Sequence, residues 1–150
     1  MKGLTDDRHE YKVTVDWTEG RIGSFNVEGK PSFDVSSPPE FEGPEGYISP
    51  EDLFVGAATS CFMTTFVTFT KKMRFDFKSF SCDGHGTLER VEKGYQFTKL
   101  VLNTTVVVDS EELVPKAERA LELAGKYCLV SNSMKCPTEH ENTVRVRRTG

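Results

Sequence analysis

The stretch that decides the fold is SPEDLFVGAATSCFMTTFVTF, residues 49–69. It begins as a helix should, because Ser49 can cap the N-terminus and Pro50 suits the first helical position. The apolar residues that follow cannot be confined to one stripe at 3.6 residues per turn. They predict a helix from about Pro50 to Met73 that protein surrounds on all sides, with Cys61 at its middle. A thiol at the centre of the most buried helix needs an explanation.

Composition limits the classes of protein to consider. A length of 150 residues predicts one domain over residues 1–150. The net charge of -4, without a basic patch, argues against nucleic-acid binding. The opening MKGLTDDRHE has no apolar segment, so we expect no signal peptide, no membrane span and a cytoplasmic protein. In a reducing cytosol, cysteines are more often catalytic, metal-binding or inert than paired in structural disulfides.

Apolar alternation and turn residues predict the remaining elements. Three short strands, a long hairpin and a last strand fit residues 11–17, 21–27, 31–35, 77–91, 95–109 and 143–148. A second helix fits residues from Pro115 to about Tyr127. Because the helices are segregated from strands that we expect to be antiparallel, the pattern is typical of an α+β fold built around a long buried central helix.

The four cysteines differ in their surroundings. No two have C-x-x-C spacing, which excludes a thioredoxin-like motif. Cys82 follows Phe80 in a strand and fits a small core residue. Cys128 lies where the second helix stops, just before a polar turn at residues 131–133. From the residues alone Cys61 also fits the core, and the segment around Cys128 is what favours chemistry at these two cysteines; the roles of Cys82 and Cys136 stay open.

Two separate motifs resemble those of the OsmC/Ohr family, the osmotically induced and organic hydroperoxide resistance proteins. SPEDLFVGAATSCF is similar to that family's Pro-Glu helix start, which the peroxidatic cysteine follows ten residues later. KYCLVSN is similar to its resolving-cysteine segment, although Leu129 stands where the family usually has proline. The resemblance covers nearly the whole chain. It implies an OsmC/Ohr-like fold and an intertwined homodimer.

The resemblance also implies an activity, that of a thiol-dependent peroxidase. On this interpretation Cys61 reduces an organic hydroperoxide, or more weakly hydrogen peroxide, to an alcohol and becomes a sulfenate. Cys128 then condenses with it to a Cys61–Cys128 disulfide. An external dithiol, such as a lipoylated protein, would restore the thiols. We expect no cofactor and no metal.

The thiolate of Cys61 needs support, because burial raises a thiol pKa and the helix dipole fades within the first turn. A guanidinium stays charged when desolvated. Arg21 is similar to the arginine of the Ohr branch, whereas the position that the OsmC branch uses is Glu40 here. The resemblance implies that Glu51 orients this arginine.

The spacing of Glu51 and Cys61 raises a question of oligomeric state. Ten residues of straight helix separate their backbones by about 15 Å, which a glutamate side chain cannot span. Either the helix breaks near Gly56, or the Glu51 that serves each Cys61 comes from a second chain. We favour the second chain, because an all-round apolar helix is more easily covered by a partner, and expect two composite sites in a two-fold dimer.

Other roles remain open. Phe54, Met63 and Phe66 can form a dry pocket for the alkyl part of a hydroperoxide, or can simply pack the core. One alternative is an OsmC-fold dimer that binds an apolar ligand without peroxidase activity. A second alternative is a zinc protein, with ligands drawn from Cys82, His85, Cys128, Cys136 and His140.

Overall fold

A computed structural model describes residues 7–148, which divide after Leu53 into two compact units. Each unit contains a three-stranded sheet, and helices accompany the second sheet. This mixture of sheets and separate helices confirms the predicted α+β class. The expectation of one domain over residues 1–150 stays a prediction.

The first unit is an antiparallel meander. Its strands are β1 (Thr14–Glu19), β2 (Ile22–Asn26) and β3 (Phe33–Ser36). Val15 pairs with Phe25 across the sheet, and the Phe25 ring stacks on Phe33 at 4.7 Å between centroids. Within this unit the apolar face is left largely uncovered, since Trp17 is 74% exposed.

The second unit follows the predicted order of elements, with one additional short helix after the second helix, where a polar turn was expected. They are α1 (Pro50–Lys72), which begins just before the boundary, β4 (Ser79–Val91), β5 (Gly94–Val108), α2 (Val114–Tyr127), α3 (Leu129–Asn132) and β6 (Thr138–Val146). Strands β4 and β5 form the expected antiparallel hairpin, but β6 pairs with β5 in parallel. The expectation of purely antiparallel sheets was wrong here, because α2 and α3 form the crossover connection that parallel strands require.

The start of α1 confirms the predicted cap. The Ser49 hydroxyl accepts a hydrogen bond from the Asp52 N–H at 3.0 Å, and the Asp52 carboxylate accepts one from the Ser49 N–H at 3.0 Å. These reciprocal bonds satisfy backbone donors that a helix start leaves free. They establish where α1 begins, and so which turn of the helix carries Cys61.

The prediction that α1 is covered on all sides was wrong for a single chain. Its buried residues recur every fourth position and form one face: Ala58, Phe62, Phe66 and Thr70. Phe62 and Phe66 pack into a core with residues of β5 and α2, among them Leu102 and Leu121. One sheet and one helix can cover only this face, and Met63 is 41% exposed on another.

By length and composition alone, α1 could also cross a membrane. A single helix of this kind is weak evidence of a membrane span, and one face of α1 packs into the core. Close packing holds the helix against the hairpin, since a Cβ atom at Gly84 of β4 would collide with the Thr59 hydroxyl. Glycine at this position therefore sets how near α1 lies to the sheet.

Candidate active site around Cys61 and Cys128

Cys61 lies half-buried at the middle of α1, beside a cavity of about 700 Å³. The cavity is lined by Cys61, Thr64, Thr65, Thr68, Phe69, Lys72, Leu123, Tyr127 and Leu129. A volume of this size accommodates a small organic molecule. All of these residues belong to the second unit.

Cys128 is fully buried at the junction of α2 and α3. Its extended backbone, with φ −65° and ψ 105°, ends α2 and redirects the chain into α3. The side chain turns toward α1, where its sulfur lies 4.0 Å from the Ala58 carbonyl oxygen and close enough to Cys61 to lower the pKa of that thiol. Both cysteines are free thiols. The fold thus brings together two cysteines that lie 67 residues apart in the sequence.

The surroundings of Cys61 favour its thiolate. Burial raises the pKa of Cys61, but hydrogen bonds lower it by more, so the pKa lies below the ordinary value of a thiol. In order of size these bonds come from the Val130 N–H, the Cys128 thiol, the Thr65 hydroxyl and the Leu129 N–H. The Val130 and Leu129 N–H groups are available because the first turn of a helix leaves its N–H groups without intrahelical partners.

The Thr65 hydroxyl supports the thiolate only in part. It donates to the Cys61 carbonyl oxygen at 2.7 Å and lies 3.8 Å from the sulfur. A hydroxyl has one proton, which the nearer carbonyl takes. The main-chain donors of α3 therefore carry more of the stabilisation of Cys61 than this side chain does.

The first unit holds Arg21 and Glu51 beside one cavity of about 530 Å³. Arg21 forms an exposed ion pair with Glu42 at 3.7 Å. The Oε1 atom of Glu51 is buried and has no hydrogen-bond partner among the described residues, and the same is true of the Ser36 hydroxyl in this cavity. Arg21 and Glu51 thus line the same cavity. Their roles, as the cation that stabilises the thiolate and the carboxylate that orients it, stay predictions. Glu40 is exposed in a helical turn.

Helix α1 is continuous from Pro50 to Lys72. The alternative of a break near Gly56 was therefore wrong. Along an unbroken helix, the backbones of Glu51 and Cys61 lie about 15 Å apart.

The three residues expected to bind substrate do not line the Cys61 cavity. Phe66 is fully buried, with its ring 5.1 Å from Phe77 between centroids. Phe54 stacks on Phe97 at 4.5 Å, and Met63 is exposed. Phe66 therefore packs the core, and a substrate role for any of the three stays a prediction.

The zinc interpretation was wrong. Among residues 7–148, which include all five proposed ligands, no three His, Cys, Asp or Glu side chains are grouped to hold a metal. Cys82 instead accepts a hydrogen bond from the Thr104 hydroxyl at 3.2 Å, and burial raises its pKa. Cys136 packs with Ala58 and Leu100, and the His140 ring lies against Phe62 at 4.7 Å between centroids.

The two N–H donors of α3 could not be predicted from the residue types. Backbone groups carry no residue signature, and only the position of a helix start after Cys128 could have revealed them. Thr65, Thr68 and Lys72 were missed for another reason. They share a helical face with Cys61, but the helix was expected to be buried on every side.

Known proteins resemble this chain over most of its length. A family model described as OsmC-like protein matches residues 43–142. Uncharacterized protein YmaD of Bacillus subtilis is 20% identical over 146 residues, which cover 95% of this chain and 97% of YmaD.

Solved structures share the fold. An OsmC-like protein of unknown function from Vibrio cholerae is 25% identical, with a TM-score of 0.80 over 90% of this chain and 99% of that chain. An organic hydroperoxide resistance protein from Elizabethkingia anophelis is 21% identical, with a TM-score of 0.71 over 93% of this chain and 99% of that chain. With the family model matching most of its length, the chain belongs to the OsmC-like family.

Proposed function

We propose that this protein is a thiol-dependent peroxidase that reduces organic hydroperoxides, and more weakly hydrogen peroxide, to alcohol or water. The observation that carries the proposal is the proximity of the Cys61 and Cys128 thiols beside an open cavity. A thiolate is the reactive form of cysteine, and the lowered pKa of Cys61 increases its share at neutral pH.

The reaction has two chemical steps. The Cys61 thiolate attacks the terminal peroxide oxygen, the O–O bond breaks, and the alkoxide takes up a proton and leaves as the alcohol. Cys61 is then a sulfenic acid. The Cys128 sulfur attacks the sulfenic sulfur, forming a disulfide and releasing water. An external dithiol reduces the disulfide by thiol exchange, for which a lipoylated protein has the required chemistry.

The cavity supports an organic rather than an inorganic peroxide as substrate. Part of its wall is apolar, formed by Phe69, Leu123, Tyr127 and Leu129. Such a wall stabilises an alkyl or aryl group by removing it from water. Hydrogen peroxide gains nothing from these contacts, which is why we expect it to react more slowly.

We also propose that the active form is a homodimer with composite sites. Exposed apolar side chains on β1, such as Val15 and Trp17, and the exposed flank of α1 support coverage by a second chain. Because α1 is unbroken, the Glu51 side chain is too short to reach Cys61 along its own helix. This supports a site in which Glu51 comes from the second chain. Refolding Cys61→Ser and Glu51→Ala chains together should restore activity, because one site of the mixed dimer keeps both residues. If heterodimers form without any gain in activity, the composite site is wrong.

Thiol counting during peroxide consumption tests the peroxidase. Reduced protein treated with cumene hydroperoxide should lose two thiols for each peroxide consumed, and Cys61→Ser should consume none. Cys82→Ser is the matched control and should behave as the unmodified protein does, since Cys82 is bonded to Thr104 rather than to a second thiol. Equal consumption by Cys61→Ser would reject the proposal and favour an apolar-ligand binder with this fold.

A further inference from the structure

Two buried polar atoms on one face of β6 have no hydrogen-bond partner among residues 7–148. They are the Thr138 hydroxyl oxygen and the His140 Nδ1 atom. Because side chains alternate between the faces of a strand, both residues point to the same side of the sheet, about 7 Å apart along β6. A buried polar atom without a partner costs stability, so two neighbouring ones need an explanation.

This face of β6 lies against the two helices that carry the reactive cysteines. The His140 ring is 4.7 Å between centroids from the ring of Phe62, which follows Cys61 on α1. The His140 Nε2 atom lies 3.1 Å from where a Cβ atom at Gly125 of α2 would be. Glycine three residues before Cys128 therefore allows the imidazole to approach the end of α2.

Thr138 lies nearer to Cys128 than His140 does along β6. It pairs in register with Leu100, and Leu100 packs with Ala58. The Cys128 sulfur is 4.0 Å from the Ala58 carbonyl oxygen. Thr138 and Cys128 thus lie beside two core residues that contact each other, and His140 follows two positions further along the strand.

The second step of the proposed reaction needs a proton acceptor for Cys128. Cysteine attacks as the thiolate, and Cys128 is fully buried, so bulk water does not reach its sulfur. His140 is only half-buried and therefore extends from the interior toward solvent. Burial lowers the pKa of His140, which leaves the imidazole unprotonated at neutral pH and able to accept a proton.

We propose that Thr138 and His140 carry the proton of Cys128 to solvent when the disulfide forms. A hydroxyl can accept and donate a proton, and an unprotonated imidazole nitrogen accepts one. The Cys128 sulfur bonds to the Cys61 sulfur as the S–O bond of the sulfenic acid breaks. The thiol proton passes through the Thr138 hydroxyl to His140, and the departing hydroxide takes a proton from solvent and leaves as water. The inference rests on the proposed peroxidase function and adds two residues to its second step.

The elements packed against His140 present uncharged neighbours from the interior. These are Phe62 from α1, Gly125 from α2 and Leu102, its register partner in β5. The acidic side chains on the adjoining elements are exposed, namely Glu118 and Glu122 on α2 and Glu139 and Glu141 on the opposite face of β6. Burial is the cause that lowers the pKa of His140, so a change of rate near that pKa reports on His140 itself.

The test follows disulfide formation with dithiodipyridine, which needs no peroxide. Attack by Cys61 releases one thiopyridone and leaves a mixed disulfide; attack by Cys128 releases a second and forms the protein disulfide. In a Cys82→Ser background, His140→Gln should leave the first phase unchanged and slow the second about a hundredfold, the scale of a positioned proton acceptor. Thr138→Val, which keeps the side-chain shape without the hydroxyl, should also slow only the second phase.

The pH profile separates proton transfer from a loss of packing. In the protein with His140, the second phase should be level above the pKa of this residue and slow below it. In His140→Gln its rate should rise about tenfold per pH unit, because hydroxide ion then removes the thiol proton. His85→Gln is the matched control, since His85 is an exposed histidine on β4, and it should keep the level profile. Equal slowing of both phases by His140→Gln, or a second phase that it does not change, would overturn the inference.

Cumene hydroperoxide consumption separates this inference from the peroxidase proposal. If no peroxide is consumed but the second thiopyridone phase depends on His140, the peroxidase is rejected and the proton path to Cys128 stands. If peroxide is consumed and the second phase is the same in His140→Gln, the proton path is rejected and the peroxidase stands.

Discussion

Cys61 and Cys82 are both half-buried thiols, yet their surroundings shift their pKa values in opposite directions. Burial raises the pKa of each. At Cys82 the Thr104 hydroxyl is the one hydrogen bond that opposes burial, and the charge of Asp83 adds to the rise. At Cys61 two main-chain N–H groups and a second thiol outweigh burial. Partial burial therefore does not by itself make a thiol inert. The hydrogen-bond donors around the sulfur determine whether its pKa rises or falls.

The largest expected effect comes from removing the thiol that Cys61 has beside it and Cys82 lacks. Cys128→Ser should complete one peroxide reduction and then keep Cys61 as a sulfenic acid, because a hydroxyl cannot form the disulfide. Dimedone labelling followed by mass spectrometry should find the adduct on Cys61. Cys136→Ser is the control and should give no adduct. Cycling of Cys128→Ser at the unmodified rate would show that another group resolves Cys61.

A smaller effect is expected from the cation that the family resemblance implies. The role that the resemblance implies for Arg21 predicts that Arg21→Ala raises the pKa of Cys61, because an opposite charge beside a thiol favours its ionised form. The pH at which iodoacetamide reacts half-maximally with Cys61 should rise, and peroxide reduction at neutral pH should slow. Glu42→Ala, which breaks the exposed ion pair of Arg21, should leave both unchanged. An alkylation profile that Arg21→Ala does not move would assign the stabilisation to the hydrogen-bond donors around Cys61 without Arg21.

The smallest effect concerns one main-chain donor. Leu129→Pro removes the Leu129 N–H, the last in size of the groups that lower the pKa of Cys61. Proline is compatible with the first position of α3, because Cys128 before it is extended. The pKa of Cys61 should rise slightly, whereas Leu129→Ala, which keeps the N–H, should leave it unchanged. Identical alkylation profiles for the two variants would mean that this N–H does not act on the sulfur.

The sequence could predict what depends on local pattern. The capped start of α1, the β4–β5 hairpin and the position of Cys128 after α2 follow from residue types over a few turns. The direction of β6 could not be predicted in this way, because it depends on where the crossover returns to the sheet. The sequence also could not predict that Phe66 is buried while Met63 is exposed, because a helix that is apolar all round has no single hydrophobic face.

The sequence could predict the side chains of the candidate site but not the main-chain groups that support them. Cys61 and Cys128 could be chosen from two motifs, and Arg21 and Glu51 from the family resemblance. The support that Cys61 receives from the Val130 N–H depends on the fold of the backbone and has no counterpart in residue type. A motif could therefore indicate the sulfur atoms but not what activates them.

Disulfide mapping tests the central claim most directly. Reduced protein is treated with one equivalent of cumene hydroperoxide, the remaining thiols are blocked with iodoacetamide, and the peptides are identified by mass spectrometry. The account predicts a Cys61–Cys128 disulfide, with Cys82 recovered as the blocked thiol. Recovery of both Cys61 and Cys128 as blocked thiols, or oxidation of Cys82 in their place, would contradict it.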